Sequence, residues 1–201
     1  MIEWPFPPFM DPAWRDAHRR AAAQWAADLL QSEGVIFDSE TTGLGPRDEF
    51  VQVGVIDLRG SVLLDALVRP SRPIPPDATA VHGLTDADVA LAPSFPGVYN
   101  TLREVIGGRH VIVYNADYDH RILWQTCQLY GLPMIEAAGW HCAMKGYARF
   151  NGAWSSRYGD FRWFRLTVAC AAEGIPVVQA HSALADCHLT LALLRAMASA
   201  L

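Results

Sequence analysis

Val35-Ile36-Phe37-Asp38-Ser39-Glu40-Thr41-Thr42-Gly43-Leu44 decides the reading of this chain. The stretch opens as a short apolar run of the kind that forms a buried strand, then carries two carboxylates two positions apart. Residues i and i+2 of a strand point to the same side, so Asp38 and Glu40 can converge on one point. Two acids held in apolar surroundings are costly unless a cation or several hydrogen-bond donors stand beside them. A bound divalent metal removes that cost. Acid pairs at this spacing are also common on solvated surfaces, so the rest of the chain has to supply further ligands.

Downstream of this strand, residues 50–58 and 61–69 read as two more strands joined by a turn containing Arg59-Gly60, a hairpin. Residues 70–96 are proline-rich and predict loop with short helical turns. Val98, Leu102, Val105 and Ile106 share one helical face, closed by Gly107-Gly108. Residues 110–114 predict a fourth strand and about 119–130 a helix, ended by Gly131 and Pro133. Residues 140–143 predict a short fifth strand, followed by a helix over 144–150, an irregular stretch over 151–165, and helices over 165–173 and 184–200. Upstream, Asp11-Pro12 supplies an N-cap with proline at the first helical position. A helix to about residue 31 follows, with Trp14, Ala17, Ala21, Trp25 and Leu29 at helical spacing, ended by Gly34. A hairpin followed by strand–helix alternation predicts an α/β domain: a mixed sheet with helices on both faces.

The chain has 201 residues and a formal net charge of −5, with 51% hydrophobic and 18% charged residues. That is one domain's worth of chain, too apolar and too weakly charged to be disordered. No segment has the length of a membrane span or the pattern of a secretory signal, so a cytoplasmic protein is expected. The acidic balance argues against a bulk electrostatic coat on nucleic acid but leaves room for a local basic groove. Cys127, Cys142, Cys170 and Cys187 are scattered without metal-ligand spacing. His141-Cys142 and Cys187-His188 read as buried thiols beside incidental histidines in preference to a zinc site.

Two further acidic clusters stand at the ends of elements. Asn115-Ala116-Asp117-Tyr118-Asp119 follows an apolar strand and opens a helix. Helix capping explains one aspartate there, but not an asparagine, two aspartates and a tyrosine together. His181-Ser182-Ala183-Leu184-Ala185-Asp186 opens the last helix, with the histidine in the preceding loop. Four carboxylates from three distant segments suit two hard divalent ions, Mg²⁺ or Mn²⁺, acting on a phosphodiester. A histidine beside them is a natural base for the attacking water.

These three motifs, in this order and spacing, resemble the DnaQ-like 3′–5′ exonucleases of the DEDDh type. The resemblance covers about residues 34–198. It implies a ribonuclease H-like α/β fold with a five-stranded mixed sheet whose second strand is antiparallel. It implies metal ligands Asp38, Glu40, Asp119 and Asp186, with Asp119 chosen over Asp117 by the family's Asn-x-x-aromatic-Asp frame, and His181 as the general base. It further implies contacts to the 3′-terminal nucleotide from Thr41, Thr42, Leu44, Asn115 and Tyr118. His82, in Val81-His82-Gly83-Leu84-Thr85, is placed either against substrate or in a loop-stabilising hydrogen bond. The expected partner is nucleic acid with a free 3′ end, single-stranded DNA or RNA, cut to nucleoside 5′-monophosphates.

Where many relatives carry Asp-Thr after the fifth strand, this chain has His141-Cys142. The division expected is an N-terminal arm and helix over 1–32 and an exonuclease domain over 33–201. The arm and helix over 1–31 suggest either a cover for the domain, a homodimer contact or a docking element for a polymerase or helicase. Residues 145–165 hold five cations and one acid, interleaved with aromatics. Arg157 and Arg162 are expected to hold phosphates there, while Trp163 and Phe164 are expected to pack the insertion onto the domain.

Overall fold

The computed structural model describes residues 11–177 and 182–201. The segments at 1–10 and 178–181, which include the N-terminal arm and His181, lie outside the described residues.

The chain begins with α1 (Pro12–Leu30), capped by Asp11, whose carboxylate accepts the Ala13 amide at 2.9 Å. The sheet consists of β1 (Val35–Thr41), β2 (Phe50–Asp57), β3 (Val62–Leu67), β4 (His110–Val113) and β5 (Gly139–Cys142). Their order is β3-β2-β1-β4-β5. β2 runs antiparallel to β1 and β3, and β4 runs parallel to both β1 and β5. The fold is therefore the ribonuclease H-like α/β arrangement with an antiparallel second strand. Between β3 and β4 lie α2 (Pro76–His82), α3 (Asp86–Val89) and α4 (Phe95–Ile106). α5 (Ala116–Leu129) links β4 to β5, and α6 (Ala143–Asn151) follows β5 directly. A two-stranded hairpin, β6 (Trp154–Ser155) with β7 (Asp160–Phe161), occupies the stretch expected to be irregular. α7 (Leu166–Ala172) and α8 (Ala183–Ala198) complete the described chain.

Strand alternation splits the core in two. Ile36, Ile56 and Ile112 face a cluster with residues of α1, α6, α7 and α8. Val35, Phe37, Val53, Val55, Val111 and Val113 face α4 and α5. Each large apolar side chain removed from water in these layers contributes about 1.5–3 kcal/mol. Both faces of the sheet are covered, which is why β2 reads as a near-continuous apolar run.

α1 shares the first of these clusters. Ala22, Ala23, Ala26 and Leu29 are buried against α6 and α8. A Cβ at Gly146 of α6 would come within 2.3 Å of the Trp25 ring, so only glycine lets the two helices approach this closely. The apolar face that might have docked a partner is thus covered by the chain's own domain.

Several boundaries differ from expectation. β1 continues to Thr41 because antiparallel pairing with β2 holds it as far as Thr41↔Phe50, through a bulge between Glu40 and Thr41. α5 begins at Ala116, three residues early, so Asp117 and Asp119 both lie in its first turn. α4 begins at Phe95, with Pro96 in the first turn where its missing amide costs nothing. α1 stops at Leu30, and Gly34 sits at the start of the sheet instead of capping the helix.

Candidate active site

The alternation that divides the core also assembles the site. Asp38 and Glu40 lie on the same face of β1 as Ile36, the face that α8 covers. Their ligand oxygens and that of Asp186, in the first turn of α8, all lie within 4.8 Å of one another. Ser39, on the opposite face, points toward α5 and donates its hydroxyl to Asp119 Oδ1 at 2.6 Å. One strand thus gathers Asp186 with its even-numbered side chains and fixes Asp119 with the odd-numbered one between them.

α8 reaches the carboxylates because β2 lets it. Gly54 is the cross-strand partner of Asp38, and a Cβ there would meet the backbone of Ala183 and Leu184 at 2.8 Å. Gln52, opposite Glu40, accepts the Ala183 amide through Oε1 at 3.2 Å. The buried Cys187 thiol donates to the Gly54 carbonyl at 3.4 Å, and Ser182 caps the helix by accepting the Ala185 amide at 3.3 Å. His181 immediately precedes that cap in sequence and lies outside the described residues.

Asp119 and Asp117 are sharply different. Asp119 is 4% exposed. The Asp117 side chain is 71% exposed and pairs with Lys145 Nζ at 2.5 Å.

The electrostatics follow from crowding acids in a buried place. Burial, then the negative charges of Asp119, Asp186 and Glu40, push the Asp38 carboxyl well above its ordinary range. Burial followed by Asp186 and Asp119 raises Glu40 to about 8. Burial raises Asp119 to about 7 against the opposing hydrogen bond from Ser39. Such a cluster fits divalent cations: every donor is a hard oxygen, and a doubly charged ion offsets both the cost of burying these carboxylates and the repulsion among them. Asp38, Glu40 and Asp186 offer three ligands, with Asp119 adjoining.

The loop after β1 forms one wall. Tyr118 OH donates to the Gly43 carbonyl at 2.8 Å and shares a hydrogen bond with the Thr41 hydroxyl. The Thr42 hydroxyl donates to Asp48 at 2.8 Å and accepts the Glu49 amide at 3.0 Å, so the loop itself uses it. Arg121 holds the Leu44 and Gly45 carbonyls at 3.1 Å, and Gln125 holds Gly45 and Asp48. This fastening leaves the Leu44 side chain 80% exposed at the loop tip. Asn115 is exposed at the N-cap of α5. His82 Nδ1 accepts the Leu84 amide at 3.1 Å, the loop-stabilising arrangement.

The sequence reading missed Ser39, Gln52, Gly54, Arg121 and Gln125. Ser39 had a signal, standing between two ligands on a strand; the other four depend on cross-strand register and loop closure, which no local pattern reports.

In the basic, aromatic insertion, Trp163 is not packed as expected: it is 55% exposed. Phe164 does join the core, edge-on to Tyr147 at 5.8 Å. Phe161 instead of Trp163 fastens the hairpin, stacking on Trp14 of α1 at 5.3 Å and meeting Trp154 edge-on. A bulky ring at position 161 points inward on β7, whereas position 163 has left the strand. Arg157 lies over the Tyr158 ring at 5.4 Å and Arg162 over Phe164 at 5.5 Å. The two His–Cys neighbours do not meet in a metal site: among the described residues the acidic cluster is the one group of that kind. Cys187 is buried in the core, and His141 pairs with His110 at 3.0 Å. Among the described residues, no helix is long and apolar enough to cross a membrane.

Residues 35–194 match the exonuclease family RNase_T. The chain belongs to the DnaQ-like DEDDh 3′–5′ exonucleases. Its relatives include an exonuclease of Escherichia phage 186, 39% identical over 88% of this chain and 93% of the phage protein. Exodeoxyribonuclease 10 of Escherichia coli K12 is 33% identical over 79% of this chain and 66% of that enzyme. Among solved structures, exonuclease X in complex with 5′-overhanging duplex DNA is 28% identical, with a TM-score of 0.57 over 82% of this chain and 91% of that one. The nuclease domain of 3′hExo, a DEDDh member bound to rAMP, superposes with a TM-score of 0.66 at 20% identity, covering 82% of this chain and 92% of that one. The cluster of Asp38, Glu40 and Asp186 is consistent with a metal-dependent nuclease of this family.

Proposed function

We propose that this exonuclease shortens DNA from the 3′ end, releasing nucleoside 5′-monophosphates with two Mg²⁺ or Mn²⁺ ions held by Asp38, Glu40, Asp119 and Asp186. The observation that carries the reading is the convergence of three partly buried carboxylates within 4.8 Å beside the buried Asp119. Bound there, the two ions supply Lewis acidity, neutralising charge at the scissile phosphate and at the departing oxygen.

The chain's own residues do the rest. Ser39 keeps the Asp119 carboxylate turned toward the cluster. Thr41 and Tyr118 hold the loop that places Leu44 beside the last base, and Asn115 and Thr42 complete the wall against the terminal sugar. His181, joined to the cap of α8, takes the proton from the attacking water, and replacement by Ala should lower kcat by about 10²–10⁴-fold while divalent-ion binding persists. Parental turnover in that variant would remove histidine from the role of base.

DNA is favoured by the relatives above 30% identity, which include exodeoxyribonuclease 10 and epsilon subunits of DNA polymerase III. The test is a panel of single- and double-stranded DNA and RNA, labelled separately at each end, with Mg²⁺, with Mn²⁺ and with EDTA. Progressive shortening of 5′-labelled DNA, early release of 3′ label as mononucleotide, and silence in EDTA are expected. Faster degradation of RNA would reverse the substrate assignment.

A further inference from the structure

The hairpin insertion leaves a surface that the acidic site does not use. Its floor is Phe161, 8% exposed and wedged against Trp14 and Trp154. Above that floor, Tyr158 and Trp163, 75% and 55% exposed, flank a cavity of about 650 Å³ that Ser155, Asp160 and Arg162 also line. Two large rings left to water on a rigid base are an unfavourable arrangement unless something covers them.

Charge indicates what does. Residues 145–165 carry five cations against Asp160. Arg157 stands 5.4 Å from the Tyr158 ring and Lys145 6.0 Å from the Trp163 ring. The same Lys145 reaches Asp117 on the first turn of α5, two residues before Asp119. Lys145 therefore links the aromatic insertion to the first turn of α5, the helix that also carries Asp119. Flat ring faces interleaved with cations fit one ligand chemistry, a polyanion with unstacked bases.

We propose that this cavity is a stacking subsite for unpaired bases of the strand being shortened, a few nucleotides upstream of its 3′ end. Tyr158 and Trp163 supply the ring faces, and Arg157 and Arg162 meet the phosphates. The subsite rests on the reading that the strand's 3′ end enters the acidic cluster. Stacking tolerates any base but requires bases free of a duplex, so it selects a single-stranded tail without selecting sequence. Trp14 and Trp154 hold the floor before binding, so little ordering cost opposes capture.

The test compares KM for a single-stranded 20-mer and for a trinucleotide too short to reach the cavity, using the full chain with Mg²⁺. The parent is expected to have a KM about a hundredfold lower for the 20-mer. Tyr158→Ala with Trp163→Ala should lose that length advantage, by about tenfold per ring, with kcat at saturation little changed. Tyr158→Phe with Trp163→Phe should keep it, because a ring face remains. Both positions are exposed, so matched thermal melts verify the fold. A length advantage retained in the double-Ala variant would overturn the subsite, as would its absence in the parent or its loss in the double-Phe variant. Failure of the parent to shorten either substrate would instead overturn the exonuclease reading, and the subsite with it.

Discussion

Ser39 shows how much one side chain can decide. It lies between two metal-ligand candidates, yet its hydroxyl serves a third, holding Asp119 Oδ1 at 2.6 Å across 80 residues of sequence. Ser39→Ala should cost about 10–100-fold in activity or metal affinity, the range for groups that orient a ligand. Isothermal titration with Mn²⁺ checks this, and parental affinity would assign Ser39 to packing alone. The carboxyls themselves make stability depend on pH. Glu40, ordinarily near 4.5, is raised to about 8, and Asp119, ordinarily near 3.8, to about 7. A carboxyl raised on folding binds its proton more tightly in the folded state. Its stabilising contribution is therefore complete below about pH 4 and is lost as pH rises through 7 to 8. A metal ion must displace those protons, so the rise in Tm on adding Mn²⁺ to metal-free protein should grow from pH 5 to pH 8. Glu40→Gln should flatten that growth. A metal-induced shift independent of pH in the parent would contradict this origin.

At the scale of elements, α8 and β2 form the contact on which the site depends. Asp186 meets Asp38 and Glu40 only because Gly54 allows the α8 backbone to rest on the strand. Gly54→Ala puts a methyl within 2.8 Å of main-chain atoms that cannot swing away. Overpacking of this kind costs about 1–3 kcal/mol, and the displaced helix should carry Asp186 out of reach of the other ligands. Thermal melts with and without Mn²⁺ should show a lower Tm and a diminished metal-induced rise. An unchanged metal-induced rise would mean that α8 can shift without moving its carboxylate. None of this was legible in the sequence, where Gly54 is one glycine inside an apolar run. The strands themselves were legible, because apolar runs bounded by turn residues survive any register. The three acidic motifs were legible because each lies at an element's end, where a carboxylate needs a reason. The register that faces Gly54 toward Asp38 is a long-range property, and local pattern does not contain it. Trp163 failed for a related reason: composition identifies an aromatic insertion but does not say which rings turn inward.

At the scale of the whole molecule, a mixed sheet covered on both faces brings three distant segments to the C-terminal end of its central strand, β1, and α1 joins the apolar cluster on one face. The helix that looked detachable in sequence shares the core with α6 and α8 through Trp25, Ala26 and Leu29. The Trp25 ring and the small Gly146 opposite it become a matched pair only once both helices are folded. The basic hairpin packs on α1 through Phe161 and Trp14 and touches α6, whose Lys145 pairs with Asp117 of α5. The central claim is that the clustered carboxylates at the ends of β1, α5 and α8 perform the cleavage, and that buried Asp119 rather than its exposed neighbour is among them. One measurement tests it most directly: the rate at which 5′-labelled single-stranded DNA is shortened in Mg²⁺ by Asp119→Asn and by Asp117→Asn, each against the parent. The account predicts a fall of more than about 100-fold for Asp119→Asn, beyond the range for supporting groups, and a change of no more than a few-fold for Asp117→Asn. Equal rates in the two variants, or the opposite ranking, would contradict it.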